Sequence, residues 1–386
     1  MIANLFFIFS FTLITFGIAY FAIIASYCYA WVKLKVPTFG INTSKTSVSI
    51  IIAARNEEHT ISNCLNSIIK QSYFTKELEI IIVDDHSSDD TIREVQKIAN
   101  QHPNIKLISI PKQDSGKKQA ISSGIKMATG ELIVTTDADC IMGPEWVSTI
   151  VNFYNQSNAQ MIVSPVCFYD EKNGFEKMQS LEFMALMASS GSSLYFNKAI
   201  MCNGANLAYT KKAFYEVNGF ENIDRSASGD DVLLMYKIKR NYPKGVQFLK
   251  HPDALVFTKA KSTLKEFFNQ RIRWASKGFS SLNSETKIIS LIVYLFNLLL
   301  LASFFIGFSY SNSDFHLLIL KIGLIILGIK CIIDFLLLFL AGTFFNKKRF
   351  LIYFLPEQIV YILYIVLIGL FGFIGKYTWK DRNIKN

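Results

Sequence analysis

Residues 5–31 contain no charged side chain. As a helix rising about 1.5 Å per residue, such a run spans a bilayer core of roughly 30 Å. A cleaved leader is disfavoured, because no Lys or Arg precedes the run and it exceeds the usual h-region of about 7–15 residues. Lys33, Lys35 and Lys45 follow it. The bias of basic residues toward the inner side therefore puts residue 33 onward in the cytoplasm.

Three more apolar runs lie near the other end. One covers 288–308. The next covers 317–345, interrupted by Lys321, Lys330 and Asp334. The last covers 350–374, with Pro356 and Glu357 near its start. The expected organisation is a membrane helix at 1–32, a linker at 33–47 and a cytoplasmic domain at 48–258. An amphipathic interface helix at 259–285, about three spans at 286–375 and a basic tail at 376–386 complete it. Three late spans would place the tail (Lys376, Lys380, Arg382, Lys385) outside, against its charge. Either the Pro356 region is re-entrant or the count is off by one.

Charged residues make up 18% of the chain, below the usual quarter of soluble proteins, and the net charge is +10. Much of the excess flanks apolar runs, as Lys347, Lys348 and Arg349 do. That distribution suits anionic lipid and phosphorylated substrates, and it argues against nucleic acid as a partner. The six cysteines form no CxxC pair and no zinc spacing, as in a reduced, cytosol-facing protein.

Between these ends, strand and helix patterns alternate. "SVSIIIAA", "LEIIIVDD", "IKLISI" and "ELIVTTDADC" read as buried strands. "EEHTISNCLNSIIKQ", "TIREVQKIAN" and "KKQAISSGIKMA" read as helices between them. Alternation of this kind predicts a mostly parallel sheet covered on both faces, with ligands bound beyond the carboxyl ends of its strands. No GxGxxG or GxxxxGK[ST] follows a strand, so neither a dinucleotide fingerprint nor a P-loop is present.

Two acidic clusters fall at those strand ends. In "VDDHSSDDT", Asp89 or Asp90 suits a helix cap. Asp84 and Asp85 precede that cap and could accept a hydrogen bond from a base or ribose. In "TTDADC", Asp137 and Asp139 suit an oxygen-ligated divalent cation, Mg²⁺ or Mn²⁺, held with substrate phosphates. The plain alternative is an acidic turn. "SASGDDVLLMYKI" supplies Asp230 and Asp231 ahead of a helical run; these are either caps or a general base for an attacking hydroxyl. "STLKEFFNQRIRWASKGF" is amphipathic, with Leu264, Phe267, Phe268, Ile272 and Ala275 on its apolar stripe. Within it, Gln270, Arg273 and Trp274 come together. Arginine offers a planar fork for phosphate, and tryptophan a flat face for a sugar or acceptor.

Taken in order, these segments resemble glycosyltransferase family 2, the group containing cellulose, chitin and hyaluronan synthases, in its membrane-integrated form. "SIIIAARNEE" resembles the family's opening strand, "VDDHSSDDT" its nucleotide-binding acids and "GKKQAISSG" its lysine segment. "DAD" resembles its metal motif and "GANLAYTKKAF" its acceptor-side loop. "GDD" occupies the place of its catalytic Asp, and "QRIRW" fits Gln-x-x-Arg-Trp. The resemblance covers about residues 45–280. It implies an α/β GT-A fold, a Rossmann-like nucleotide-diphospho-sugar transferase domain inserted between transmembrane helices.

It also implies roles. Asp85 would hold the nucleobase, with Asn56 and Glu57 nearby, and Lys117 would lie near the nucleotide. Asp137 would contact ribose or metal, and Asp139 would ligate the metal. Gly204, Asn206 and Asp230 would line the substrate side, and Asp231 would be the base. Gln270, Arg273 and Trp274 would serve the diphosphate and acceptor end. The implied enzyme is an inverting, metal-dependent transferase on the cytoplasmic face of the cell membrane. It would use a nucleotide-sugar donor, a UDP-sugar foremost, and a lipid-linked or growing glycan acceptor. Ser122 replaces the usual Asn of the lysine segment, and Asp230 stands where many members have Glu. A non-catalytic membrane scaffold and a nucleotidyltransferase are the alternatives.

Overall fold

The computed structural model describes residues 2–40, 45–73, 75–111, 113–221, 229–280, 283–309, 314–374, 376–379 and 382–385. Residues 226–228, which lead into Asp230, and Lys380 of the tail lie outside them. The chain divides into two compact units. A sheet unit comprises Leu34–Glu171 and Ser193–Ala260. A helical unit comprises Met1–Lys33, Lys172–Ser192 and Lys261–Asn386.

In chain order the elements open with α1 (Ile2–Lys33), β1 (Val48–Ala54), α2 (Ile61–Ile69), β2 (Leu78–Asp84), α3 (Thr91–Ala99), β3 (Ile105–Ser109), α4 (Lys117–Met127) and β4 (Leu132–Asp137). Then come β5 (Ile141–Met142), α5 (Trp146–Ser157), β6 (Met161–Val163), β7 (Val166–Phe168), α6 (Gly174–Tyr195), β8 (Leu207–Thr210), α7 (Lys211–Glu216), α8 (Asp230–Asn241), β9 (Val246–Phe248) and β10 (Val256–Thr258). The chain continues with α9 (Leu264–Ser280), α10 (Ser284–Ser309), α11 (Asp314–Phe344) and α12 (Phe354–Ile374).

The sheet unit is built on a seven-stranded sheet of order β3-β2-β1-β4-β8-β6-β9. The β1, β2, β3 and β4 ladders are parallel, as the strand-helix alternation predicts. β8 then runs antiparallel to both β4 and β6, so the sheet is mixed. Ile50, Ile51, Ile52, Ile80, Ile81, Ile82, Ile133 and Val134 are all fully buried. Strands covered on both faces need this unbroken β-branched sequence. A second sheet, β5-β10-β7, sits directly after the β4 turn.

Register places the acids. Ala54 of β1 pairs with Asp84, and Ala53 pairs with Asp137. The ends of β2 and β4 therefore flank the end of β1, at the carboxyl edge where parallel sheets take ligands.

In the helical unit, α1, α10, α11 and α12 belong to four segments long and apolar enough to cross a membrane. Phe7, Phe308, Ile332 and Ile359 are each more than two-thirds exposed. Side chains of this kind are stable outward only against lipid or a protein partner. α12 runs unbroken through Pro356, which occupies the first helical turn, where its missing N–H costs nothing. The helix is thus continuous where a re-entrant segment was one expectation.

Inside the unit, Lys330 is fully buried. It donates to Asp334 Oδ2 and to Gln358 Oε1 of α12, both at 2.6 Å. Tyr20 of α1 donates to Asp334 Oδ1 at 2.8 Å. Two of the charges that interrupt the third apolar run, Lys330 and Asp334, are therefore paired with each other, one helical turn apart. One boundary differs from the sequence reading. Lys172–Ser192, placed within 48–258, cluster with the helical unit. The long helix α6 offers Glu182 and Ser192 to residues remote in sequence, which local periodicity does not reveal.

Candidate active site

The site in the sheet unit assembles where strands β1, β2 and β4 end and helices α4 and α8 begin. After β1, Asn56 adopts the left-handed conformation (φ 52°) that asparagine tolerates better than most residues. Its Oδ1 accepts from Ser88 N at 2.9 Å, and its own N–H donates to Ser87 Oγ. Glu57 N donates to Thr91 Oγ1 at 2.7 Å, and the Glu57 carboxylate accepts from Thr60 Oγ1. The β1 loop is in this way stapled to the β2 loop.

Capping before α3 is done by Asp89. Its Oδ1 accepts from Thr91 N and Oγ1, while Asp90, at the cap position itself, makes no side-chain cap bond. Asp84 and Asp85, both 3% exposed, have other duties. Asp84 receives Ser87 N–H on its carboxylate. Asp85 Oδ2 receives Gly116 N–H at 3.0 Å, with the Arg55 guanidinium beside its Oδ1.

Gly116 immediately precedes α4 at φ 101°, a conformation that favours glycine. The next residue, Lys117, donates to Asp137 Oδ1 at the end of β4. The N-terminus of α4 therefore bridges the two acidic strand ends, Asp85 through a backbone N–H and Asp137 through an ammonium. A helix N-terminus carries partial positive charge and suits anionic oxygen.

Burial works against the Lys117 charge. Asp137, Asp230 and Asp231 outweigh it and hold the ammonium well above the ordinary lysine value. The Lys117 ammonium, bonded to Asp137 and close to Asp231 beside Gly204, offsets the repulsion between acids at this edge.

Asp231 lies in the first turn of α8, whose cap position is Gly229. The capping alternative for Asp230 and Asp231 is therefore corrected: both sit inside the helix. Asp231 Oδ2 accepts from Gly204 N at 3.0 Å, and Gly204 O accepts from Thr135 Oγ1 of β4. A Cβ on Gly204 would meet Lys117 Nζ at 3.4 Å and Asp231 Oδ2 at 3.5 Å. Its absence lets lysine, carboxylate and backbone share one small space.

Asp139 follows β4 in the turn leading to β5. Thr258 Oγ1 of β10 and Cys140 Sγ lie 3.4 and 3.6 Å from its carboxylate oxygens. Behind it, Cys64 and Cys140 are buried, and burial with the nearby acids pushes both thiols well above their usual value. Both pack into the interior beneath the turn.

The donor set fits a hard divalent cation, because Asp137 and Asp139 offer only carboxylate oxygen. Among the described residues, no group of three or more His, Cys, Asp and Glu could hold a metal alone. A cation held there would need further oxygen ligands, of the kind substrate phosphates supply, to complete its coordination.

Asn206 requires a correction. It is fully buried, its Nδ2 donates to Pro165 O and Ala254 O at 2.8 Å, and its Oδ1 accepts from Trp146 Nε1 at 3.0 Å. Its amide is committed to the protein, so it braces the loop and does not meet a substrate.

Gln270, Arg273 and Trp274 are on α9, in the helical unit. There the indole of Trp274 is engaged by the Arg271 guanidinium, 4.3 Å from the ring centroid, and by Phe183, stacked at 5.8 Å. Arg271 is not among the residues that the sequence singles out. Its spacing, four residues after Phe267 and three before Trp274, puts it on their shared face, and that was the available signal.

The family model for "Glycosyl transferase family 2" matches residues 49–217. The chain carries a glycosyltransferase family 2 domain. The matched segment holds Asp85, Lys117, Asp137, Asp139 and Gly204, while Asp231 and α9 lie beyond it. The chain is 27% identical to the probable glycosyltransferase YdaM of Bacillus subtilis (strain 168), over 80% of this chain and 78% of that one. It is 25% identical to the poly-beta-1,6-N-acetyl-D-glucosamine synthase of Staphylococcus aureus (strain COL), over 60% of this chain. That match spans 54%, little more than half, of the synthase. In structure the chain is similar to the mannosyltransferase PcManGT of Pyrobaculum calidifontis, solved with GDP-Man and Mn²⁺. The TM-score is 0.55 at 19% identity, covering 94% of this chain and 99% of that one. The fold is accordingly GT-A-like, a Rossmann-type sheet domain with one apolar helix before it and three after. The chain is a glycosyltransferase enzyme.

Proposed function

We propose that this glycosyltransferase moves a sugar from a nucleotide-sugar donor to a lipid-linked or growing glycan acceptor, with inversion at the anomeric carbon. The reaction takes place at the cytoplasmic face of the membrane that its four apolar helices cross. The observation that carries the reading is the N-terminus of α4, tied at once to Asp85 and Asp137 beside Asp231.

In this mechanism Asp85 accepts from the base, and Asn56 and Glu57 shape the loop around it. Asp139, with Asp137, would hold a divalent cation, Mn²⁺ or Mg²⁺, which when bound neutralises the diphosphate. Lys117 adds positive charge on the same side. Asp231 removes the proton from the acceptor hydroxyl as its oxygen bonds to the anomeric carbon. The bond from that carbon to the phosphate oxygen breaks, and the nucleoside diphosphate leaves. The Gly204 N–H keeps the Asp231 carboxylate aimed, and Asp230 adds to the field that keeps Lys117 charged. Gln270, Arg273 and Trp274 serve the acceptor and the departing diphosphate.

The test is turnover of labelled nucleotide sugars by the purified chain in phospholipid vesicles, with and without Mn²⁺. UDP-N-acetylglucosamine is the first donor to offer, given the polymer named for the staphylococcal relatives. Metal-dependent release of labelled sugar from one donor supports the proposal. No turnover of any donor in the panel would refute it.

A further inference from the structure

Arg271 lies inside the Gln-Arg-Ile-Arg-Trp segment, yet it is only 1% exposed. No substrate can reach its guanidinium. Instead Arg271 Nε donates to both oxygens of Glu182, at 3.2 and 3.0 Å, and Nη2 donates to Glu182 Oε2 at 2.6 Å. The remaining terminal nitrogen, Nη1, donates to Gln270 Oε1 at 2.5 Å. The flat face of the guanidinium lies 4.6 Å from the Phe267 ring centroid and 4.3 Å from that of Trp274. One buried cation therefore fixes the side chain before it and the side chain three residues after it, both members of the motif.

Glu182 is fixed in turn. It belongs to α6, and its Oε1 accepts from Tyr364 Oη of α12 at 2.7 Å. Tyr364 also packs against Phe267, with ring centroids 5.3 Å apart. The carboxylate joins α6, α9 and α12 through charge-assisted bonds in a setting that is 11% exposed on its side. A planar fork of this kind defines an orientation as well as an attraction, and lysine cannot replace it.

We propose that Glu182 is a positioning residue for sugar transfer: by clamping Arg271 it sets the orientation of Gln270 and Trp274. The inference rests on the reading that those two side chains serve the acceptor and the diphosphate. Helices α6 and α12, which carry no motif residue, thereby determine how the motif is presented.

The test compares Glu182→Gln, Arg271→Lys and their double variant, reconstituted in phosphatidylethanolamine–phosphatidylglycerol vesicles. Turnover of UDP-N-acetylglucosamine, or of whichever donor the panel identifies, is measured per molecule competent to bind UDP. Each single variant is expected to lose about tenfold or more in kcat with donor KM changed less than about twofold, as when an interaction made in the transition state is lost. The double variant is expected to match the worse single one, because both break the same clamp. A variant that only weakened the fold would lower the competent fraction and leave kcat per competent molecule unchanged, which would overturn the inference. So would losses that multiply in the double variant. If Glu182→Gln does not fold, Tyr364→Phe keeps the ring and removes one bond to Glu182, and it should still lower kcat severalfold; wild-type kcat there counts against the clamp. A wild-type chain that turns over no donor refutes the proposed function itself. Normal wild-type turnover with unaffected Glu182 variants refutes this inference alone.

Discussion

Lys117 and Asp137, 20 residues apart in the chain, form an ion pair that joins the start of α4 to the end of β4. The pair sits where Asp230 and Asp231 also press their charge on the lysine. A divalent cation on Asp137 would share that carboxylate with the ammonium. Lys117→Met should therefore let the acids hold Mn²⁺ at lower concentration, while transfer falls on the order of 10²-fold through loss of a positive group near the diphosphate. A Mn²⁺ titration of UDP binding checks this; an unchanged midpoint means that lysine and metal do not compete.

Asn206 stands in a segment that resembles an acceptor-side loop, but it spends its amide on Trp146, Pro165 and Ala254. Asn206→Ala would orphan those groups in a dry interior, at a cost of about 3 kcal/mol. A large drop in melting temperature is expected, with UDP binding retained at low temperature. Loss of binding at full stability would restore the substrate role.

Glu79 gives the sheet unit a defined acid response. Burial pushes its carboxyl up, but bonds from Ser49, Thr129 and Lys106 more than reverse this, lowering it from 4.5 to about 2. The unfolded chain binds this proton more readily than the folded one, so the stabilisation is complete above about pH 4.5 and fades as pH falls toward 2. Glu79→Gln should lower the melting temperature at pH 7 and flatten its decline between pH 5 and 2. Parallel melting curves for the two proteins across that range would contradict the assignment.

Lys117, Asp137 and Asn206 also mark how far the sequence can be read. The parallel strands were legible because buried strands need unbroken apolar runs, and the acids showed at their ends for the same reason. Partnership was not legible. Nothing local says that Lys117 meets Asp137, and a buried asparagine is spelled like one that meets a ligand. Arg271 is not legible because an apolar stripe marks a buried face only through its apolar residues, whereas an arginine whose charge is matched by Glu182 occupies the centre of this one. The placement of Lys172–Ser192 with the apolar helices depends on contacts from remote segments, which no window of sequence contains.

Lys330 and Asp334 lie in an apolar helix and satisfy each other, with Gln358 and Tyr20 completing the cluster. Lys330→Met leaves a carboxylate without its cation and should cost about 3–5 kcal/mol. Lys330→Met combined with Asp334→Leu should recover much of that loss, since a buried pair replaced by apolar residues is often neutral. Thermal unfolding in detergent for the two singles and the double measures it. Equal destabilisation by the double and by the sum of the singles would show that the pair is not coupled.

Asp231 is the carboxylate on which the proposed chemistry turns. Asp231→Asn keeps an oxygen for the Gly204 N–H, so the loop and the donor site should persist, but an amide cannot take the acceptor proton. The most direct measurement is the rate of sugar transfer beside UDP affinity in this variant. Transfer should fall by about 10²–10⁴-fold with affinity within about twofold of wild type. Transfer at the wild-type rate would contradict the account.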